Sequence, residues 1–284
     1  MASWRAFLLI MSLLATEPAL ADMKDAWDAY DHGEYDKAAE LFRAEADHGD
    51  SEAQYMMGQL YGEGHLGPRD FASAARWYEK AAQQGHPDAE NALGYQYDFG
   101  LGLPRDRGLA AMWYERAAAQ GNVAGRNNIA YEWAQAGRRF DDALAYARGV
   151  VAVAPKVGAY QDTLGWILYK MQRYAESIPP LCRAAKLDPG SPEIHSHLGD
   201  AFWHVGLNAN ARMQWQQAYD LAERRQLLSE QGEDFLYAEG DGFKAAMQAR
   251  LAKGLGDGPA PAGSSADPAA VDQALGGDCN IPTS

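Results

Sequence analysis

The sequence predicts an all-α fold, a right-handed superhelical solenoid of helix-turn-helix repeats with about six helical pairs plus capping helices. Three observations predict it. Two stretches are near copies at an offset of 36 residues, and later landmarks recur at 34. Helix-length segments carry apolar residues at four-residue steps, the spacing of one helical face. Finally, 47% of the 284 residues are hydrophobic, enough to bury a core.

Residues 1–21 read as a signal peptide. Arg5 gives a positive start, Ala6 to Ala15 form an apolar run, and Ala19-Leu20-Ala21 place small residues where a signal peptidase reads them. The run is shorter than the ~20 residues that span a bilayer. A cut after Ala21 makes the mature chain periplasmic or secreted, with no stable membrane insertion. Residues 22–50 form a first tetratricopeptide-like unit: the segment Gly33 to Gly49 reads as the return half of a pair begun near Asp25.

The near copies follow at 51–122. Gly58 and Gly94, Trp77 and Trp113, and Tyr78 and Tyr114 keep the 36-residue offset. Ala89, Leu93 and Tyr97 share one face of a first helix, in which Gly94 costs about 1 kcal/mol relative to alanine. That cost is tolerated where a neighbouring helix approaches closely. Gly100, Gly102 and Pro104 form the turn, and Ala110, Trp113, Tyr114 and Ala117 stripe the return helix before Gly121 stops it. The second copy resembles the Sel-one-like repeat almost throughout; the first departs at Leu66, where a turn glycine is expected.

Residues 123–223 give three more pairs. Pro155 and Pro189, Gly165 and Gly199, and Leu164 and Leu198 are each 34 apart. Asp162 to Pro189 resembles a tetratricopeptide repeat, with Ser177 where that family has alanine. The next unit repeats its scheme, and a diverged one precedes both from Val123 to Pro155. Residues 224–253 carry Leu227, Leu228, Phe235, Leu236, Tyr237, Phe243, Met247 and Leu251 without a repeat match. They read as capping helices shielding the open end of the array. The run from Leu198 through Ala218, closing on LAKGL, is similar to tetratricopeptide proteins of proteobacterial envelopes, which implies a compartment. Residues 254–284 hold six Gly, four Pro and no basic residue, a composition expected to be disordered.

The balance of 25 basic and 39 acidic residues, a net charge of −14, excludes nucleic acid and anionic lipid as ordinary partners. No GxSxG, HExxH, CxxC, P-loop or strand-flanked GxGxxG is present, so no catalytic residue, cofactor or metal is assigned. His195 and His197 diverge on a helix, and His197 and His204 lie ~10 Å apart, too far for one metal. A solvated or groove-lining role is expected for all three. Asp98, Asp106, Asp141, Asp142, Asp188 and Asp200 mostly fall near turns or helix starts, where capping accounts for them. Cys182 reads as a small buried hydrophobe. Cys279 lies in the tail, and a bridge to Cys182 would require the helix to open, so an intermolecular bond or a small-thiol adduct is expected.

What remains is surface. In this architecture the first helix of each pair lines a concave groove. With the glycines as register marks, the groove-facing residues are Tyr55, Gln59, Asn91, Tyr95, Asp98, Asp162, Trp166, Tyr169, Lys170, Asp200, Trp203 and His204. The diverged unit adds Asn128 and Glu132. Aromatics interleaved with amides and carboxylates suit an extended peptide; the competing role for Trp166 and Trp203 is packing between repeats. The chain lacks the Lys/Arg ladder by which chaperone-binding tetratricopeptide domains hold a carboxylate, so a neutral or basic segment fits better than an acidic one. The expected function is a non-enzymatic scaffold, an assembly or signalling adaptor. An envelope hydrolase acting on cell wall or peptide, as for some cysteine-rich relatives, and a self-associating structural repeat protein are the alternatives.

Overall fold

A computed structural model describes residues 23–230, 240–255 and 279. The expected signal peptide lies outside the described residues, as do the side chains of Leu227, Leu228, Phe235, Leu236 and Tyr237 and nearly all of the tail. Among the described residues there are thirteen helices, six consecutive pairs followed by one more, and no strand. The chain divides into two compact units, one ending at Ala89 and the other beginning at Glu90.

The first unit contains α1 (Met23–Asp31), α2 (Tyr35–Asp47), α3 (Ser51–Glu63) and α4 (Phe71–Gln83). Its core joins Ala26, Ala38, Phe42, Ala53, Met57 and Leu60 with Trp77. The sequence has no turn glycine at position 66, and the backbone solves this one residue later. Gly64 and Gly67 carry the positive φ angles, 82° and 122°, while Leu66 packs against the core.

The second unit contains α5 (Pro87–Phe99), which starts at the division, then α6 (Arg107–Ala119), α7 (Val123–Gln135) and α8 (Phe140–Val153). These are followed by α9 (Gly158–Lys170), α10 (Tyr174–Leu187), α11 (Pro192–His204), α12 (Asn208–Glu230) and α13 (Gly240–Lys253). One core cluster runs from Tyr114 through Trp133 to Ile167, and another gathers Leu181, Leu198, Phe202, Trp215 and Met247. Each fully buried side chain of this size contributes about 1.5–3 kcal/mol.

Helices α3, α5, α7, α9 and α11 are each 13 residues long. In four of them the eighth residue is glycine, and it receives a large side chain of the return helix. A methyl group at Gly58 would collide with the Tyr78 ring. One at Gly94 would lie 2.8 Å from Tyr114, one at Gly165 2.5 Å from Leu181, and one at Gly199 2.5 Å from Trp215. The close-approach reading of Gly94 therefore holds. In the diverged unit the eighth residue is Ala130, itself fully buried.

Polar ties repeat with the same period. Asp50, His86 and Asn122, 36 residues apart, accept the backbone N–H of Ala53, Ala89 and Gly125 at 2.8, 3.2 and 2.7 Å. A cap from Asp or Asn is worth about 1 kcal/mol. Gln84 donates to Gln54 at 2.8 Å in the first unit, and Gln120 to Glu90 at 2.7 Å in the second.

Two expectations are corrected. Residues 224–230 continue α12, so α13 is the single separate cap among the described residues. Cys182 and Cys279 form a disulfide with Cα atoms 5.1 Å apart, and α10 does not open to admit it. Cys182 is fully buried, and Cys279 packs against the same cluster. Helix α10 also runs through Pro179-Pro180, although an interior proline removes a hydrogen bond and crowds the preceding turn. It continues because Ile178, Leu181, Cys182 and Ala185 hold it in the core on either side of the break.

Two glycine substitutions should therefore act in opposite directions. Gly199→Ala must push the buried Trp215 ring, and thermal unfolding followed by circular dichroism should show a loss of about 1–3 kcal/mol. Gly149→Ala lies in the interior of α8, where an added methyl meets nothing within 4 Å. It should stabilise the chain by about 0.5–1 kcal/mol. In the same assay Cys279→Ser, which opens a loop of sequence separation 97, should cost about 2–5 kcal/mol. Unchanged unfolding would show that the bond does not constrain the fold.

Candidate functional site

The second unit holds a cavity of about 650 Å³ lined by α5, α7, α9, α11 and α13. Of the sequence-predicted residues, Tyr95, Asp98, Glu132, Asp162 and Trp166 meet there. Tyr95 and Phe99 lie one helical turn apart with ring centroids at 4.5 Å. Each is 37% exposed, and among the described side chains they are the only exposed Phe, Tyr or Trp rings. Burial and the nearby Asp98 raise the Tyr95 hydroxyl pKa, so it stays protonated.

Asp98 pairs with Arg107 at 3.7 Å. Glu132 is half-buried on α7, and burial together with Asp98 raises its carboxyl pKa against the opposing pull of Arg107, Arg105 and Arg138. Across the cavity Asp162 and His197 interact at 3.0 and 3.1 Å. Burial alone would lower the His197 pKa, but the carboxylates of Asp162, Asp200 and Glu193 together outweigh it and the net direction is upward. His197 stacks on Trp166 at 4.0 Å, and Trp166 in turn stacks on Tyr169 at 4.9 Å. Lys170 sits over the Trp166 ring at 5.5 Å.

Other predicted residues lie elsewhere. Tyr55 and Gln59 belong to the first unit, where the Gln59 amide donates to the Tyr55 hydroxyl and Tyr55 stacks on His86 at 5.0 Å. Burial pushes the Tyr55 pKa up to about 12. Asn128 donates to Asn91 at 2.9 Å, so these two amides tie α7 to α5.

Asp200, Trp203 and His204 do not face an open groove. They are 2%, 7% and 6% exposed, because α13 and the tyrosines of α9 and α10 cover them. Arg250 of α13 pairs with Asp200 at 2.9 Å and donates to Ser196 at 2.7 Å. Trp215 donates to the other Asp200 oxygen at 2.8 Å. Capping therefore does not account for Asp200; it is a mid-helix anchor. Burial raises its pKa, and Arg250 tempers the shift. Trp203 packs on Trp215 and against Gly254, which is the packing role weighed against groove lining. His204 stacks on Tyr174 at 4.2 Å. His195 is fully buried, not solvated: its ring nitrogens meet the Gln214 side-chain oxygen at 2.7 Å and the Pro189 carbonyl at 3.1 Å. Among the described residues no three His, Cys, Asp or Glu side chains are grouped to hold a metal.

Sequence reasoning misses Phe99, Tyr131, Phe243 and Arg250 as lining residues of this cavity, while His197, expected to be solvated or groove-lining, does line it. Phe99 is within reach, since it follows Tyr95 by one turn. Tyr131 follows Ala130, in the one first helix from α3 to α11 that lacks the register glycine. Phe243 and Arg250 lie on a helix outside any repeat, so no periodic signal marks them.

Residues 51–86 and 87–122 match the Sel1 repeat, and residues 134–192 and 163–226 match the tetratricopeptide repeat, together more than half of the chain. A Sel1 repeat protein from Oxalobacter formigenes is similar at 18% identity and TM-score 0.52, covering 82% of this chain and 100% of that one. The protein c5321, a protective antigen of uropathogenic Escherichia coli strains with an SLR fold, is similar at 20% identity and TM-score 0.57. That match covers 93% of this chain but only 58% of c5321. At these identities the likeness is one of fold. No curated protein sequence matches the chain. With its helix pairs, its register glycines and these repeat matches, the chain belongs to the Sel1-like and tetratricopeptide repeat proteins.

Proposed function

We propose that this chain is a non-enzymatic scaffold of the bacterial periplasm that binds a neutral or basic protein segment along the cavity of its second unit. Arrays of helix pairs are typically interaction scaffolds, and their surfaces suit extended partners. The observation that carries the reading is the exposed Tyr95–Phe99 pair. Every other described Phe, Tyr or Trp ring is at least partly packed away, whereas these two remain open beside a cavity. Aromatic anchors of this kind dominate binding energy at interfaces.

Charge supports the choice of partner. Asp98, Glu132, Asp162, Asp188 and Glu193 line the cavity against Arg105, Arg107 and Arg250, and the whole chain carries −14. This field repels acidic competitors and speeds the approach of basic ones. For the compartment, the support is the apolar N-terminal run and the Cys182–Cys279 bond, since disulfides persist where thiols are not kept reduced.

The test places a photo-crosslinking amino acid at position 99 of the full chain expressed in bacteria. One segment of one partner should be captured repeatedly. Purified partner should then bind the Tyr95→Ala, Phe99→Ala double variant at least ~10-fold more weakly, a loss of about 1.4 kcal/mol or more. Circular dichroism should show that the variant keeps its helix. Undiminished binding by the folded double variant would sink the cavity as the binding site. Alkaline phosphatase fused to the C-terminus of the full chain should be active if the chain is exported; an inactive fusion would remove the periplasmic assignment.

A further inference from the structure

The acidic side chains around the cavity are not alike. Asp98 has Arg107, Asp162 has His197, and Glu193 has Arg225 at 3.5 Å. Asp200, beneath the cap, has Arg250. Glu132 differs: it is half-buried, it lines the cavity, and no cation lies within ion-pair distance of it among the described residues. The charged groups around it are Asp98 from α5, Arg105 in the turn after α5, Arg107 and Glu115 from α6 and Arg138 after α7. Across the cavity stand the Asp162–His197 pair, Asp188, Glu193 and Arg250. The same cavity carries the open rings of Tyr95 and Phe99.

A carboxylate that shares a cavity with exposed aromatic faces suits a cation. The carboxylate supplies a full charge, and ring faces attract ammonium or guanidinium through their quadrupoles. Resting on the cavity reading above, we propose that Glu132, Tyr95 and Phe99 form a subsite for a lysine or arginine side chain of the bound segment.

A pH dependence follows. Burial and Asp98 hold the Glu132 carboxyl above its ordinary range. A ligand cation favours the ionised form, so affinity is full above that raised pKa and is lost as pH falls through it. The loss should therefore begin at a higher pH than an ordinary carboxylate would give.

The probe is a phage-displayed library of random twelve-residue peptides, panned on the full-length chain at neutral pH. Enriched peptides should share a lysine or arginine at one position. For one such peptide, Glu132→Gln should weaken binding about 10-fold, and so should replacing the peptide's basic residue by glutamine. Making both changes should cost little more than either alone. Affinity should fall as the pH is lowered toward 5 for the natural chain and stay flatter for Glu132→Gln. Enriched peptides with no basic position, or a basic position indifferent to Glu132→Gln, would overturn the subsite while leaving the cavity reading in place. If no peptide is enriched, the cavity reading fails and the subsite with it.

Discussion

The contact on which the repeats depend is the one between the eighth residue of each first helix and a bulky side chain of its return helix. Glycine there forgoes about 1 kcal/mol of helix propensity. In return, Tyr78, Tyr114, Leu181 or Trp215 lies directly against backbone, and the two helices close to a distance no larger residue permits. The partner follows the glycine by 20 residues in the two Sel1 repeats and by 16 in the tetratricopeptide repeats. The longer turn of the first kind is absorbed outside the contact, by glycines at positive φ such as Gly64, Gly67, Gly100 and Gly102.

This contact also explains how much can be read from sequence. Wherever the glycine is present, the pair and its register are legible, and Tyr95 and Trp166 fall on the correct helices from it alone. Where Ala130 replaces it, the reading reaches Asn128 and Glu132 but passes over Tyr131. The cap is illegible in a different way. Nothing periodic marks Arg250, and so nothing in the sequence shows that Asp200 and Trp203 are sealed beneath α13. Cys279 is misjudged because its distance along the chain gives no hint of its distance in space.

Within the second unit, the residue just after the register position is varied to change what the surface does. It is Tyr95 in α5, Tyr131 in α7, Trp166 in α9 and Asp200 in α11. Exposure falls along that series from 37% at Tyr95 to 9% at Trp166 and 2% at Asp200. The backbone geometry stays the same, yet the position passes from an open ring to a stacked one to a buried ionic anchor. One end of the cavity thus keeps an open ring, and the other is committed to holding the cap.

The Cys182–Cys279 bond gives the second unit a direction. Arrays of helix pairs have no long-range contacts to lock their ends, so each end frays on its own. Here α11, α12 and α13 lie inside a covalently closed loop that starts on α10. Melting of these helices yields a closed loop rather than a free end, so it gains less chain entropy and the capped end resists fraying more than an open array end would.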